Sequence, residues 1–270
     1  MKISALLAFA TLAVLVPVLL AVGADWVAPY DPVAQDIIAR LHGPMGTHWL
    51  GTDQLGRDVL SRILYGSRAS LLVAAGSVGT ALLLGGGLGL LAAYYRGWLE
   101  RIVMRLMDIL FAFPVMLLAI GVVAVLGPGA VTAAIAIAVV YTPIFARLLR
   151  GPALVICDAD YVAGARAAGA NDARILLIHV LPNLMGVILV QTSLLLSSAI
   201  LVEASLSFLG LGTQPPNPSL GLMLAEGRNV LLLSPWGALF AGAAILVLAF
   251  GLNLLGDALR DRLDPRLREL

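Results

Sequence analysis

The sequence predicts an all-α membrane protein with six membrane-spanning helices, and three observations carry this prediction. Hydrophobic residues make up 60% of the 270 residues and charged residues only 12%, whereas a soluble domain is about half apolar and about a quarter charged. Apolar stretches of about 20 residues, the length that crosses a bilayer core, recur along the chain. One long polar stretch, residues 158–183, separates the fourth of these from the fifth. A soluble globular domain is therefore excluded.

The first span is predicted over residues 3–22. A signal peptide is the alternative, because Lys2 supplies a positive start and Val22-Gly23-Ala24 resembles a cleavage site. The apolar run is longer than the roughly 7 to 15 residues of a signal-peptide core. We therefore expect an uncleaved membrane helix.

A polar loop of mixed charge follows at residues 25–68. Near its end, apolar residues recur at the spacing of one helical face: Val59, Leu60, Ile63 and Leu64. This spacing predicts an amphipathic helix on the outer membrane surface, although a helix packed against the bundle fits it equally well. We expect residues 1–68 to form the first span with its periplasmic loop, and residues 69–270 to form a core of five spans.

Those five spans are predicted at residues 69–94, 103–126, 130–145, 184–209 and 236–255. Gly85 and Gly89 of the second span form a GxxxG pair, which permits close helix crossing. Pro114 predicts a kink in the third span, and Pro143 predicts a break in the fourth.

The polar stretch at residues 158–183 carries helix signals of its own. Asp158 and Asp160 favour a helix start, and Gly169 can close that helix in the left-handed conformation. Asn171 or Asp172 can cap a second short helix, which Pro182 is expected to end. The first helix is made largely of small residues, which suits a helix seated closely against another surface. An ordinary cytoplasmic loop is the alternative.

The arginines indicate the orientation, because positive residues in short loops stay on the cytoplasmic side. With both termini inside, 12 of the 17 lysines and arginines lie on the cytoplasmic side and five outside. This distribution places the polar stretch in the cytoplasm.

Several classes of function are excluded by what the sequence lacks. Lys2 is the only lysine, so the P-loop that holds nucleotide phosphates is absent and the chain does not hydrolyse ATP by itself. Its histidines all lie outside the predicted spans, which removes a serine–histidine pair within the bilayer. Cys157 is the single cysteine, so an internal disulfide and a CxxC site are excluded. The net charge of +1 gives no sign of nucleic-acid binding.

Three acidic residues fall within or at the ends of predicted spans: Asp108, Glu203 and Asp257. Charge within a bilayer is costly, so such residues often mark function. Glu203 shares its predicted helix with Gln191 and Ser198, and these three are the candidates for a translocation pathway. Pairing of Glu203 with a neighbouring helix is the alternative. So few ionisable groups argue for an external source of energy rather than ion coupling.

Four segments then carry a resemblance to a known family. They are YVAGARAAGA at residues 161–170 with LPN at 181–183, LGTDQLGRDVLSR at 50–62, EASLSFLGLG at 203–212 and LDPRLR at 263–268. Residues 161–183 resemble the EAA loop of ATP-binding-cassette (ABC) importer permeases. Together the segments resemble the second permease subunit of dipeptide, oligopeptide and nickel importers, over nearly the whole chain.

The resemblance implies a type I ABC importer permease fold in a bacterial inner membrane, with a cytoplasmic coupling loop over residues 148–182. A coupling helix in this loop would dock on the ATPase. The coupling residues carried over are Asp160, Tyr161, Ala163, Gly164, Ala165, Arg166, Gly169, Ala170, Leu181 and Pro182.

The same resemblance implies partners. They are a homologous second permease, two ATPase subunits that carry the ATP and Mg, a periplasmic or lipid-anchored solute-binding protein, and membrane lipid. It implies no catalytic residue, metal or cofactor on this chain and no nucleic-acid partner. Peptide, nickel, glutathione and opine-like solutes all remain open.

Two departures from the family pattern stand out. Ala163 occupies the position of the glutamate that names the EAA loop, and Gly164 replaces its first alanine. A longer cytoplasmic lead usually precedes the first span in this family, so the sequence is consistent with a late initiator at Met1. A secondary carrier that works alone and a scaffold without transport are the competing functions. The carrier would be active with an ion gradient and no partners.

Overall fold

The computed structural model describes residues 2–263, and within that range the regular elements are helices, with one isolated β-bridge between Thr52 and Asp58. The tail motif at residues 264–268 lies outside the described residues. The helices are α1 (Lys2–Val22), α2 (Ala24–Val27), α3 (Val59–Ala81), α4 (Gly87–Tyr95), α5 (Gly97–Phe111), α6 (Val115–Leu126), α7 (Ala130–Cys157), α8 (Asp160–Ala167), α9 (Asp172–Arg174), α10 (Leu181–Phe208), α11 (Leu220–Asn229) and α12 (Trp236–Leu263).

Several of these helices join end to end into membrane spans. Short π-helical stretches, Leu82–Gly86 and Ile175–Val180, connect α3 to α4 and α9 to α10. Four continuous helices are long and apolar enough to cross a membrane: Val59–Tyr95, Ala130–Cys157, Asp172–Phe208 and Trp236–Arg262. The bent pair α5 and α6 gives a fifth. The remaining predicted span corresponds to α1, whose portion Ala10–Val22 is a shorter apolar helix.

The kink predicted at Pro114 is a sharp break. α5 and α6 meet at 93° across residues 112–114, and Pro114 directly precedes α6. Proline lacks the N–H that would continue the helical ladder, and it pushes the preceding residue out of helical geometry. The third predicted span is therefore two helices in different directions.

Two other proline predictions are wrong. Pro143 does not break the fourth span, because α7 continues through it and through Pro152 to Cys157. Pro182 does not end the helix after Asn171, because it lies in the first turn of α10, directly after a π-helical stretch. Proline is tolerated in a first turn, where its missing N–H has no intrahelical partner to lose. The wider π-turn changes the hydrogen-bond ladder just before it.

The amphipathic segment before the second span is not a separate surface helix. α3 begins at Val59, and the Asp58 carboxylate caps it by accepting a hydrogen bond from the Ser61 amide at 2.8 Å. The helix then continues to Tyr95. Val59 and Leu64 are buried, so the apolar face packs against the bundle, which was the alternative interpretation.

The core forms around α7, which packs against α3, α4, α5, α6 and α10. A Cβ on Gly85 would lie 2.1 Å from the Thr142 carbonyl oxygen, and one on Gly89 would lie 2.2 Å from that of Ala146. Such distances are far inside van der Waals contact. The GxxxG pair therefore does hold two helices at close approach, as predicted.

α11 is the element that sequence reasoning missed. It follows the proline-rich outer loop, and the Ser219 hydroxyl caps it by accepting from the Leu222 amide. A Cβ on Gly221 would lie 2.1 Å from the Ala204 carbonyl oxygen, so α11 lies directly on the end of α10. The segment between α10 and α12 is a packed helix rather than a loose loop.

A buried cluster of charges joins α11 to the second span. Arg62, only 1% exposed, donates to Glu226 of α11 at 2.8 Å and also pairs with Asp53. Arg57 donates to the same two carboxylates, at 2.6 Å to Asp53 and 3.0 Å to Glu226. Two arginines thus face two carboxylates, so the cluster is neutral, as a desolvated site requires.

Candidate coupling helix and translocation face

α8 is a short helix of eight residues that follows the end of α7. Its start, at Ala159, has extended backbone and no side-chain cap, so neither Asp158 nor Asp160 caps it as predicted. Its end is as predicted. Gly169 has φ of +85°, and the Gly169 and Ala170 amides donate back to the carbonyls of Arg166 and Ala165, both at 3.0 Å.

A single apolar side chain anchors α8. Val162 is fully buried in a cluster with Ala153 and Cys157 of α7 and with Ile175 and Val180 of the helix that follows. The opposite side of α8 is occupied by Asp160, Gly164 and Ala167, all exposed.

The small residues of α8 are not used for packing within the described chain. Ala163 and Gly164 are exposed, and a Cβ on Gly164 would meet no atom within 4 Å. Ala165 and Ala170 are partly buried, whereas Tyr161, Arg166 and Gly169 are exposed. The helix therefore presents an open face, formed by Ala163, Gly164 and Ala167, that another surface could approach closely.

Two tyrosines tie the second span to the polar stretch. The Tyr94 hydroxyl donates to Asp172 Oδ1 at 2.7 Å, and the Tyr95 hydroxyl donates to Asp172 Oδ2 at 3.0 Å. Arg166 of α8 lies over the Tyr94 ring at 5.5 Å, a cation–π contact. Sequence reasoning missed these tyrosines, whose position at the end of an apolar span, beside the polar stretch, was the available signal.

Further polar contacts flank α8 on either side. Arg96, between α4 and α5, pairs with Asp158 at 2.6 Å, so Asp158 serves as an ion-pair partner. The Asn183 amide of α10 donates to the Tyr161 hydroxyl at 3.2 Å. Of the two predicted caps, Asn171 is the one that caps α9, its side chain accepting from the Arg174 amide at 2.8 Å. α8 is thus connected to the ends of α4, α7 and α10.

Leu181 and Pro182 lie away from the open face of α8. Both belong to α10, with Leu181 packed against the cluster that buries Val162 and Pro182 exposed on the helix surface. The structure therefore brings together the candidates from Asp160 to Ala170 and places these two on the helix that follows.

Glu203 is buried within the subunit. It is 1% exposed, accepts from the Ser207 hydroxyl at 2.7 Å, and has Ser70 of α3 as a second polar neighbour. Ser207 in turn accepts from the Thr213 amide at 3.2 Å. A Cβ on Gly212 would lie 2.1 Å from Ser207 Oγ. The segment at 203–212 therefore builds the end of α10, and the Glu203 carboxylate is hydrogen-bonded within its own helix.

Gln191 and Ser198 lie on another face of α10. They are seven residues apart, which places them almost in line along the helix, whereas Glu203 lies roughly 120–140° around the axis from either one. Ser198 is exposed and Gln191 partly so. The three candidates for a translocation pathway do not come together. Only Gln191 and Ser198 share a face.

The other two acidic residues of the predicted spans, Asp108 and Asp257, are exposed. Asp108 pairs with Arg147 of α7, and Asp257 lies exposed on α12. Among residues 2–263, no group of three or more His, Cys, Asp or Glu side chains is placed to hold a metal ion.

Comparison with known proteins gives the same architecture and a family. The described fold is similar to a chain of the MetNI methionine ABC transporter in inward-facing conformations, with a TM-score of 0.62, 17% identity, and coverage of 76% of this chain and 97% of that chain. The architecture is that of a type I ABC importer permease.

Three named permeases are more similar to this chain in sequence than the MetNI chain is. The glutathione transport system permease protein GsiD of Pectobacterium atrosepticum is 47% identical over 260 residues, which cover 96% of this chain and 86% of GsiD. The dipeptide transport system permease protein DppC of Alkalihalophilus pseudofirmus is 45% identical over 229 residues, covering 85% and 75%. The di/tripeptide transport system permease protein DppC of Pseudomonas aeruginosa is 46% identical over 251 residues, covering 91% and 83%.

A family model matches more than half of the chain. It is the binding-protein-dependent transport system inner membrane component, and it matches residues 85–269, a range that contains α8, α10 and α11. This match and the relatives establish the family of the chain. The chain belongs to the family of inner membrane permease components of binding-protein-dependent transport systems.

Proposed function

We propose that this chain is one of two homologous permease subunits of an ATP-driven importer for peptides or similar small solutes. The relatives described above are permeases named for glutathione, dipeptides and di/tripeptides, and they match nearly the whole chain. Each permease would form half of the translocation pathway. A periplasmic or lipid-anchored binding protein would deliver the solute on the outer side, and two ATPase subunits carrying ATP and Mg would bind on the inner side.

The open face of α8 is the observation that carries the proposal. Ala163, Gly164 and Ala167 leave that face without bulk, although no packing within the described chain requires small residues there. Such a face suits a close contact with a second protein. We assign it to the ATPase, and the small residue at 163 supplies space where the family usually has a glutamate.

The contacts around α8 provide a route for movement. Closure of the ATPases would displace α8, and Val162 would carry that displacement to α7 and to the start of α10. The Asp172 contact with Tyr94 and Tyr95 would carry it to α4. Spans linked in this way rotate as packed bodies, so that the pathway opens to one side of the membrane at a time.

The pathway itself is proposed along the Gln191–Ser198 face of α10. The amide of Gln191 is costly against lipid, so this face favours a water-filled path or a contact with a second subunit. The Ser198 hydroxyl adds little to this cost, because it donates to the Leu194 carbonyl at 3.2 Å. Glu203 is assigned no contact with solute, since its carboxylate is enclosed between α10 and α3.

Bulk added to the open face of α8 tests the proposal. Gly164→Leu and Ala163→Leu should lower recovery of the ATPase with the purified permease about tenfold, because an added side chain in a tight contact costs about 1–3 kcal/mol. Ala173→Leu is the matched control, since Ala173 is also exposed but lies on α9. Solute uptake should fall with ATPase recovery.

Two outcomes would contradict the proposal. Full uptake and full ATPase recovery with Gly164→Leu would remove α8 as the docking element. Uptake by the reconstituted chain alone, driven by an ion gradient, would instead favour the secondary carrier.

A further inference from the structure

α5 packs against α4 and α7. It contacts α7 through two ion pairs, Glu100 with Arg150 and Asp108 with Arg147. The two carboxylates are eight residues apart, about 12 Å along α5, but the arginines are three residues apart, about 4.5 Å along α7. The helices therefore cross steeply. This agrees with the 93° bend between α5 and α6.

One face of α5 packs on the bundle. Val103 and Met107 are buried against Ala92 of α4 and Ala146 of α7. Asp108 and Glu100 lie near this face, where they meet their arginines. All the carboxylates of α5 are thus engaged by α7.

The opposite face carries an apolar stripe that the described chain leaves uncovered. Its members recur at helical spacing, and each is more than half exposed: Trp98, Ile102, Leu106 and Ile109. A stripe of this size on a helix needs an apolar environment. Since α5 crosses the bundle steeply, that environment lies beside the polar end of the molecule that carries α8 and Arg96.

Two arginines border the stripe on one side. Arg101 and Arg105 are exposed, and neither pairs with a carboxylate among residues 2–263, where Arg101 donates only weakly to the Gly97 carbonyl at 3.4 Å. Asp108 lies one turn from Arg105, but its carboxylate pairs with Arg147 of α7. Two arginines without an ion pair therefore lie next to an exposed tryptophan and three aliphatic side chains.

We propose that this face of α5, formed by Trp98, Arg101, Ile102, Arg105, Leu106 and Ile109, lies in the inner leaflet and binds anionic phospholipid. The stripe enters the acyl chains while Arg101 and Arg105 hold the headgroup phosphate, as amphipathic helices do at a membrane surface. Tryptophan suits the boundary between headgroups and chains. A second permease subunit fits this face less well, because it would have to supply carboxylates for both arginines.

Tryptophan fluorescence tests the proposal. In the full chain, purified with the proteins that it assembles with, the other three tryptophans are replaced by phenylalanine. The Trp98 signal is the difference from the same assembly that also carries Trp98→Phe, which subtracts the tryptophans of the other proteins. The assembly is placed in bilayers of phosphatidylcholine and phosphatidylglycerol, with brominated chains on one lipid or the other. Brominated phosphatidylglycerol should quench Trp98 more strongly than brominated phosphatidylcholine at equal mole fraction.

Neutral variants identify the arginines as the cause of this preference. Each of Arg101→Gln and Arg105→Gln should lower the preference for phosphatidylglycerol about fivefold, which corresponds to roughly 1 kcal/mol for one arginine at an anionic surface. Arg174→Gln, which removes an exposed arginine of α9, should leave the preference unchanged.

Either of two results would overturn the proposal. Equal quenching by the two lipids in the parent protein would show that the stripe meets lipid without selecting the headgroup. Quenching by neither lipid would show that protein or water covers the face. If the tryptophan replacements prevent folding, native mass spectrometry decides the same point, since the parent protein should retain phosphatidylglycerol that Arg101→Gln/Arg105→Gln loses.

Discussion

Asp172 is the residue through which the polar stretch and the second span meet most directly. Both of its carboxylate oxygens are engaged, one by Tyr94 and the other by Tyr95. Because each carboxylate oxygen has its own hydroxyl donor, both the position and the orientation of the Asp172 side chain are fixed. A displacement of α8 and α9 would therefore move α4 through this contact.

Removal of the two hydroxyls should weaken coupling. Tyr94→Phe/Tyr95→Phe keeps both rings and loses both hydrogen bonds, so we expect the ratio of solute taken up to ATP hydrolysed to fall several-fold in the reconstituted importer. Tyr65→Phe is a matched control, since the Tyr65 hydroxyl also donates to a carboxylate, that of Asp25, at 2.9 Å on the predicted outer side. That hydrogen bond, and next the one from Arg68, hold the pKa of Asp25 below its usual range. Equal losses in the two variants would argue against a special role for Asp172.

At the scale of the helices, close approach between α7 and the second span depends on two missing side chains. The backbones of Gly85 and Gly89 lie against carbonyl oxygens of α7, where a Cβ has no space. Gly76 and Gly79 belong to the same span, but a Cβ on either of them would meet no atom within 4 Å. Of these four glycines, only Gly85 and Gly89 are required for the close packing against α7.

Alanine substitutions should separate these glycines. We expect Gly85→Ala and Gly89→Ala each to destabilise the protein by about 1–3 kcal/mol or more, because α7 must shift to admit the methyl group. Gly76→Ala, the control, should be neutral or slightly stabilising, since alanine favours a helix by about 1 kcal/mol over glycine. Thermal unfolding in detergent measures the difference. Similar melting temperatures for Gly85→Ala and Gly76→Ala would mean that the two helices are less closely packed than described.

The helices also show which features the sequence could predict. The spans, the Gly169 turn and the Asn171 cap follow from local chemistry, since a run of apolar residues, a left-handed glycine and an amide acceptor each act over a few residues. The prolines do not follow in this way. Pro143 lies among buried residues of α7, including Tyr141 and Phe145, and this packing holds the helix together through it. Local propensity is a weak guide where tertiary contacts are dense.

Contacts between distant segments could not be predicted from the local sequence either. The partners of Asp172, and the pairing of Arg62 with Glu226, join residues 77 to 164 positions apart. No periodicity in the sequence relates them. α11 was missed because its ten residues are too few to show a clear helical period beside a proline-rich loop.

At the scale of the whole molecule, the orientation remains a prediction from the distribution of positive residues. Three of the five arginines assigned to the outer side, Arg57, Arg62 and Arg68, are held in ion pairs. On the other side, Arg101, Arg105 and Arg174 are exposed beside α5 and α9. Arg40 and Arg228 on the predicted outer side are exposed as well, and Arg96, Arg147 and Arg150 on the other side form ion pairs. The ion pairs therefore do not decide the orientation, which rests on the count of positive residues.

Labelling of single cysteines should establish this orientation. Cys157→Ser removes the native thiol, and Ala34→Cys or Ala173→Cys then places one reporter at an exposed alanine of the predicted outer loop or of α9. A membrane-impermeant thiol reagent added to spheroplasts should label Ala34→Cys at once and Ala173→Cys only after the membrane is opened. The reverse pattern would place α8 on the outer side of the membrane, where an ATPase that uses cytoplasmic ATP could not reach it. Both the proposed coupling through α8 and the assignment of α5 to the inner leaflet would then be wrong.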